Sequence, residues 1–169
     1  FSIPARGVIL GLNQILPPDV RITHAEEATE EFHARFSAKT KTYEYRIWNA
    51  EVADVFAAET HAHVAQRLDE KHMHTVAQAL AGTHDFKVFT VAEPEVQSTV
   101  RTISAIEVRR EEERVLITVS ADGFLRYMVR RIAGSLIEVG RGRLAHDALF
   151  AEARWTAPAK GLLLRDIRY

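Results

Sequence analysis

Residues 100–142 read VRTISAIEVRREEERVLITVSADGFLRYMVRRIAGSLIEVGRG, and two different periods follow one another in them. Val100 to Val108 and Val115 to Ala121 are rich in β-branched residues and flank the acidic turn at Glu111, Glu112 and Glu113. Such segments suit a pleated surface, so they read as an antiparallel hairpin. Asp122-Gly123 then opens a long helix, whose stripe of Leu125, Met128, Val129, Ile132, Leu136 and Val139 recurs at helical spacing. Gly140-Arg141-Gly142 supplies its stop. On this reading Arg126 and Arg130 lie one turn apart, off the stripe. A hairpin running straight into a helix is not a βαβ repeat, and it points to an α+β fold: an antiparallel or mixed sheet with flanking helices.

The flanking sequence extends the same pattern. Tyr43, Tyr45 and Ile47 alternate with Thr42, Glu44 and Arg46, a period of two that puts both tyrosines on one face of a strand over Lys41 to Ile47. Asp69 caps a helix whose Met73, Val76, Ala77 and Leu80 form one buried face, with Gly82 as its end. Gly7 to Ile15 reads as the tail of a helix ended by Leu16-Pro17-Pro18-Asp19, because proline lacks the amide donor and restricts the residue before it. A short strand is expected at Val20 to Thr23, a short helix at Ala145 to Ala153, and a last strand from Leu162 to Ile167 after Pro158. There is no internal repeat, and residues 1–169 read as a single domain.

Composition excludes several classes. With 169 residues, 47% hydrophobic and 27% charged, the chain is an ordinary globular one, able to bury roughly 70% of its unfolded surface. It has no cysteine, so neither a disulfide scaffold nor a thiolate site is available. No apolar run approaches the roughly 20 residues of a membrane helix and no signal peptide opens the chain, which together favour a cytoplasmic protein with no membrane partner. The first residue is Phe1, which suggests a piece cut from something longer. The pairs His61/His63 and His72/His74 lack a third ligand at suitable spacing, and residues two apart on a helix point apart, so no metal is expected. Glycine-rich phosphate loops and the G-x-S-x-G turn are absent.

A net charge of -1 hides a basic segment at Arg126, Arg130, Arg131, Arg141 and Arg143 and an acidic one at Glu26, Glu27, Glu30 and Glu31. An aromatic strand, a basic helix and the tract Phe32-His33-Ala34-Arg35-Phe36-Ser37-Ala38 together suit nucleic acid, because rings stack on bases and arginines hold phosphates. Each also has an ordinary explanation, as core strand residues or a solvated helix face.

Taken in order, seven tracts resemble the tRNA pseudouridine synthase A family along nearly the whole chain. They are Leu16-Pro17-Pro18-Asp19-Val20, Phe32 to Ala38, Lys41-Thr42-Tyr43-Glu44-Tyr45, Gly82-Thr83-His84-Asp85-Phe86, Val100-Arg101-Thr102-Ile103, Phe124 to Gly142, and Ala157-Pro158-Ala159-Lys160-Gly161-Leu162. The resemblance implies an enzyme that isomerises uridine to pseudouridine in the anticodon arm of tRNA, working as a homodimer without metal or organic cofactor. It places Tyr43 as the active-site tyrosine, Arg130 as the arginine paired with the catalytic aspartate, and Leu162 on the wall of the pocket. His33, Arg35 and Arg126 join them as expected RNA contacts. A tyrosine ring can stack on a flipped base while its hydroxyl serves proton transfer, and an arginine can keep a nucleophilic carboxylate ionised.

The family's Gly-Arg-Thr-Asp-Ala-Gly tract, which carries the attacking aspartate upstream of Leu-Pro-Pro-Asp, does not occur in the 169 residues. The chain therefore reads as the second lobe of such an enzyme, inactive alone. The alternative is a noncatalytic RNA-binding module. Arg126-Tyr127 stands where the family commonly has a tyrosine or histidine pair, and Arg131 where it has asparagine.

Overall fold

The computed structural model describes residues 3–91, 97–151 and 153–169. They fall into two units, residues 1–37 and 38–169. In the first unit α1, Ala5–Ile15, has none of its residues buried. The strand expected at Val20 to Thr23 is absent. Its backbone is satisfied differently: the Asn13 side chain donates to the Ile22 carbonyl and accepts from the Ile22 amide, both at 2.8 Å. One amide group thus does the hydrogen bonding that a neighbouring strand would do.

The second unit is built on a six-stranded mixed sheet. Its strands are β1, Thr40–Trp48; β2, Ala62–His63; β3, Gly82–Asp85; β4, Val100–Glu111; β5, Arg114–Ala121; and β6, Leu162–Arg168. The order is β2-β1-β5-β4-β3, with β6 also on β1. β2 and β6 divide the same edge of β1: β6 runs antiparallel beside Thr40–Tyr45, and β2 runs parallel beside Ile47–Trp48. The hairpin expected from residues 100–121 is β4–β5, extended to Glu111 and turned at Glu112, whose φ is 53°.

Two helices cover one face of the sheet. In α2, Glu70–Ala77, the Asp69 carboxylate accepts from the His72 amide at 2.9 Å, and Met73, Val76 and Ala77 are buried as the spacing predicts. A 3₁₀ turn carries the stripe on to buried Leu80. Gly82, at φ 96°, opens β3. The long helix α3 spans Met128–Gly140, and its stripe packs against Ile47, Ile117 and Val119 in one core cluster. Burying each such side chain is worth about 1.5–3 kcal/mol.

The helix begins later than Asp122-Gly123 implied. Asp122 is tied back to the sheet, accepting from the Thr102 amide, and Tyr127 sits at φ 64°, which no helix continues through. Arg126 therefore lies outside the helix and not one turn before Arg130 within it. The helix expected at Ala145 to Ala153 is reduced to a 3₁₀ turn at His146–Ala148, with residue 152 outside the described residues. Among the described residues no helix is long and apolar enough to cross a membrane.

Candidate functional site

Strand alternation places Tyr43 and Tyr45 on the helix-covered face of β1, and β6 sets Leu164 opposite Tyr43 and Leu162 opposite Tyr45. Leu162 is half-buried and packs against the core cluster. Before it stands Gly161, where a Cβ would come within 2.7 Å of the Arg46 carbonyl oxygen and 2.8 Å of Tyr45 Cζ. Only glycine lets the chain enter β6 this close to the Tyr45 ring.

The segment leading there is fastened to α3. Arg130 Nε donates to the Ala157 carbonyl at 2.8 Å, and the Ala157 amide donates to the Arg130 carbonyl at 3.0 Å. The next carbonyl, that of Pro158, accepts from the Tyr45 hydroxyl at 2.7 Å. Two successive carbonyls thus bind the arginine of the helix and the tyrosine of the strand. Burial pushes the Tyr45 phenol well above the usual tyrosine range, and the positive charge of Arg130 opposes that rise. Tyr45 is a fixed, protonated donor.

Tyr43 is placed differently. Its ring meets Phe124 edge-on, with centroids 5.0 Å apart and planes at 88°. It is half-buried, and among the described residues its hydroxyl has no hydrogen-bond partner. Arg130 holds its guanidinium 5.0 Å from the centre of the exposed Tyr127 ring, and Arg126 approaches the same ring at 5.4 Å. Arg130 spends Nε on Ala157, while its two terminal nitrogens carry no hydrogen bond among the described residues. That leaves a forked donor of the kind that binds a carboxylate bidentately. Arg131 is held elsewhere: its Nη1 donates to the Val88 and Thr90 carbonyls at 3.1 and 2.7 Å.

His33 and Arg35 lie in the first unit. His33 Nδ1 accepts from the Arg35 and Phe36 amides, the His33 ring packs on Phe36, and the Arg35 guanidinium stands 5.6 Å from the same ring. The histidine pairs considered as ligands have local partners: His61 with Thr60, His63 with the Ala50 carbonyl, and His74 with the Val108 amide. Within the second unit Tyr45, Phe124 and Tyr127 complete the surroundings of Tyr43 and Arg130, and none of the three is a site residue on the sequence reading. Alternation with Tyr43 was the available signal for Tyr45, whereas nothing in the sequence marks the left-handed turn at Tyr127.

A family model described as tRNA pseudouridine synthase matches residues 76–169, which include Phe124, Arg130, Ala157 and Leu162. The chain is 43% identical over 166 residues to a "tRNA pseudouridine synthase A 2" of Bacillus anthracis, covering 94% of this chain and 68% of that protein. It is 42% identical over 171 residues to a "tRNA pseudouridine synthase A" of Solibacter usitatus, covering 99% and 71%. With a protein of the same description from Bacillus pumilus the identity is 40% over 177 residues, covering 100% and 72%. The family model takes in the hairpin, α3 and β6, the relatives cover nearly the whole chain, and the chain belongs to the tRNA pseudouridine synthase A family.

Proposed function

We propose that the complete protein isomerises uridine to pseudouridine in the anticodon arm of tRNA, as a cytoplasmic homodimer, and that these 169 residues are its second lobe. The reaction breaks the bond from C1′ to N1 of the base, turns the base, joins C1′ to C5, and removes the C5 proton while N1 takes one up; the bond that the nucleophile makes to the nucleoside is broken again before release. Every atom of the nucleoside is conserved, so the protein's work is stacking, charge stabilisation and proton transfer.

Arg130 carries the reading. Anchored at Nε by the Ala157 carbonyl and flanked by the Tyr127 ring, it presents its terminal nitrogens to a carboxylate. That carboxylate is the nucleophile, supplied from outside these residues, since the Gly-Arg-Thr-Asp-Ala-Gly tract does not occur in them. A bidentate arginine keeps a carboxylate ionised and so able to attack. Tyr43, with its hydroxyl uncommitted, stacks on the extruded uracil and takes part in moving its proton, and Leu162 forms an apolar wall. His33, Arg35 and Arg126 contact the RNA backbone.

Unmodified tRNA is incubated with the complete protein and, separately, with this chain, and pseudouridine is counted. Formation by the complete protein alone is the expected result. Turnover by the chain alone would show that the nucleophile lies within it. Binding without turnover by either favours a noncatalytic RNA-binding module.

A further inference from the structure

The sheet has a second face, which the isomerase reading does not use. Glu44 and Arg46 alternate with the tyrosines of β1 and so point away from them. On that face Leu116 of β5 is registered opposite Arg46 on one side and opposite Arg109 of β4 on the other. Arg114 is registered between Trp48 and Glu111, and β6 brings Arg165 to Glu44. Four arginines from four strands thus line one open cleft of about 340 Å³, together with Glu44, Glu111 and His61.

The cleft has more cation than its carboxylates can use. Glu44, 5% exposed, is engaged at both oxygens, accepting from Arg46 Nε at 2.8 Å on one and from Arg165 at 2.9 Å on the other. Glu111 serves Arg109 and, at 3.9 Å, Arg114. Each guanidinium has a carboxylate within 4 Å, but two carboxylates are shared among four of them, so the residues lining the cleft carry a net positive charge, with Asp54 acting on His61 from outside the lining. Each guanidinium has five N–H donors, of which these pairs use few. A lattice that served only to neutralise the buried Glu44 would need no arginine from β4 or β5.

His61 senses the same field. Its imidazole is held below the ordinary histidine range first by burial and then by Arg46 and Arg114, against the opposing effects of the Ala57 backbone and Asp54. Thr60 and the edge-on Trp48 ring are its other neighbours.

We propose that this cleft binds a phosphate oxyanion, on the sheet face opposite Tyr43 and Tyr45. Forked guanidinium groups match tetrahedral oxyanions, and the surplus positive charge suits one inorganic phosphate dianion or two successive phosphodiester monoanions of an RNA strand. The source is either free inorganic phosphate or a phosphodiester of an RNA strand; only the RNA source rests on the isomerase reading.

The test uses His61 as its reporter. The complete protein, with isotope-labelled histidine, is titrated by NMR without ligand, with inorganic phosphate, and with a tRNA anticodon arm. Phosphate in the cleft offsets Arg46 and Arg114, so the His61 pKa rises saturably with ligand. Arg109→Gln/Arg114→Gln, which spares the buried Glu44 pair, weakens binding by about tenfold or more, as the loss of charge-assisted hydrogen bonds implies. Arg109→Gln alone, with thermal unfolding to confirm its fold, gives the same direction if the double variant fails to fold. A response to phosphate but not to the RNA assigns the free anion, and a response to both assigns the backbone. No saturable response to either probe overturns the proposal, as does a response that the variants keep, or self-association that covers the cleft. Pseudouridine formation by the parent protein is measured alongside, and its absence counts against the isomerase reading while the His61 result stands separately.

Discussion

Arg130 and Ala157 hold each other by two reciprocal hydrogen bonds, side chain to carbonyl at 2.8 Å and amide to carbonyl at 3.0 Å, 27 residues apart. The arginine is therefore part of the fold before it meets any substrate. Arg130→Leu leaves the Ala157 carbonyl without its charged donor and should cost this chain about 1–2 kcal/mol, read by urea unfolding. A change within about 0.5 kcal/mol would mean that the arginine only decorates the helix surface.

The neighbouring link predicts a pH dependence. The Tyr45 phenol is held above its unfolded value near 10, so the folded state keeps a proton that the unfolded state releases. Stability from this group is complete below about pH 10 and is lost as pH rises above it, with a limiting slope of about 1.4 kcal/mol per pH unit. In Tyr45→Phe that component is absent, while the lost bond to Pro158 lowers stability at neutral pH by about 1 kcal/mol. Unfolding free energies of parent and variant should converge between pH 10 and the alkaline limit of the fold. Parallel curves would contradict the assignment.

Glycines at two places should respond with opposite sign. Gly161→Ala forces a Cβ against the Arg46 carbonyl and the Tyr45 ring and should cost about 1–3 kcal/mol. Gly11 of α1 has nothing within 4 Å of an added Cβ, and Gly11→Ala should stabilise the helix by about 0.5–1 kcal/mol. Melting temperatures of the two variants measure both. Equal shifts would deny the close approach at Gly161.

Elements set by period were legible in the sequence. The alternation of Tyr43, Tyr45 and Ile47, the β-branched hairpin and the α2 stripe with its Asp69 cap all have the structure expected of them. β2 and β3 are two and four residues long, too short to show a period, and exist because β1 and β4 offer free edges. The start of α3 differs from the expectation because the apolar stripe reaches back to Leu125, whereas the left-handed Tyr127 interrupts the backbone that would carry it. Within the site, Tyr43, Arg130 and Leu162 came from family resemblance. The bond from Tyr45 to Pro158 spans 113 residues, and no local pattern encodes such a partner.

Tyr43 should separate folding from chemistry. Its hydroxyl has no partner among the described residues, so Tyr43→Phe should change stability by less than about 0.5 kcal/mol and leave tRNA binding near that of the parent. In the complete protein the loss of a proton-transfer group should slow the reaction about a hundredfold or more. Equal single-turnover rates would remove Tyr43 from the chemistry.

The central claim is that Arg130 pairs with a nucleophilic carboxylate supplied by the rest of the protein. The most direct measurement is single-turnover conversion of unmodified tRNA by the complete protein bearing Arg130→Leu, at saturating enzyme and at a temperature where the variant is folded. Loss of the pair should slow pseudouridine formation by about a hundredfold or more while tRNA remains bound. Conversion at the parental rate would contradict the account.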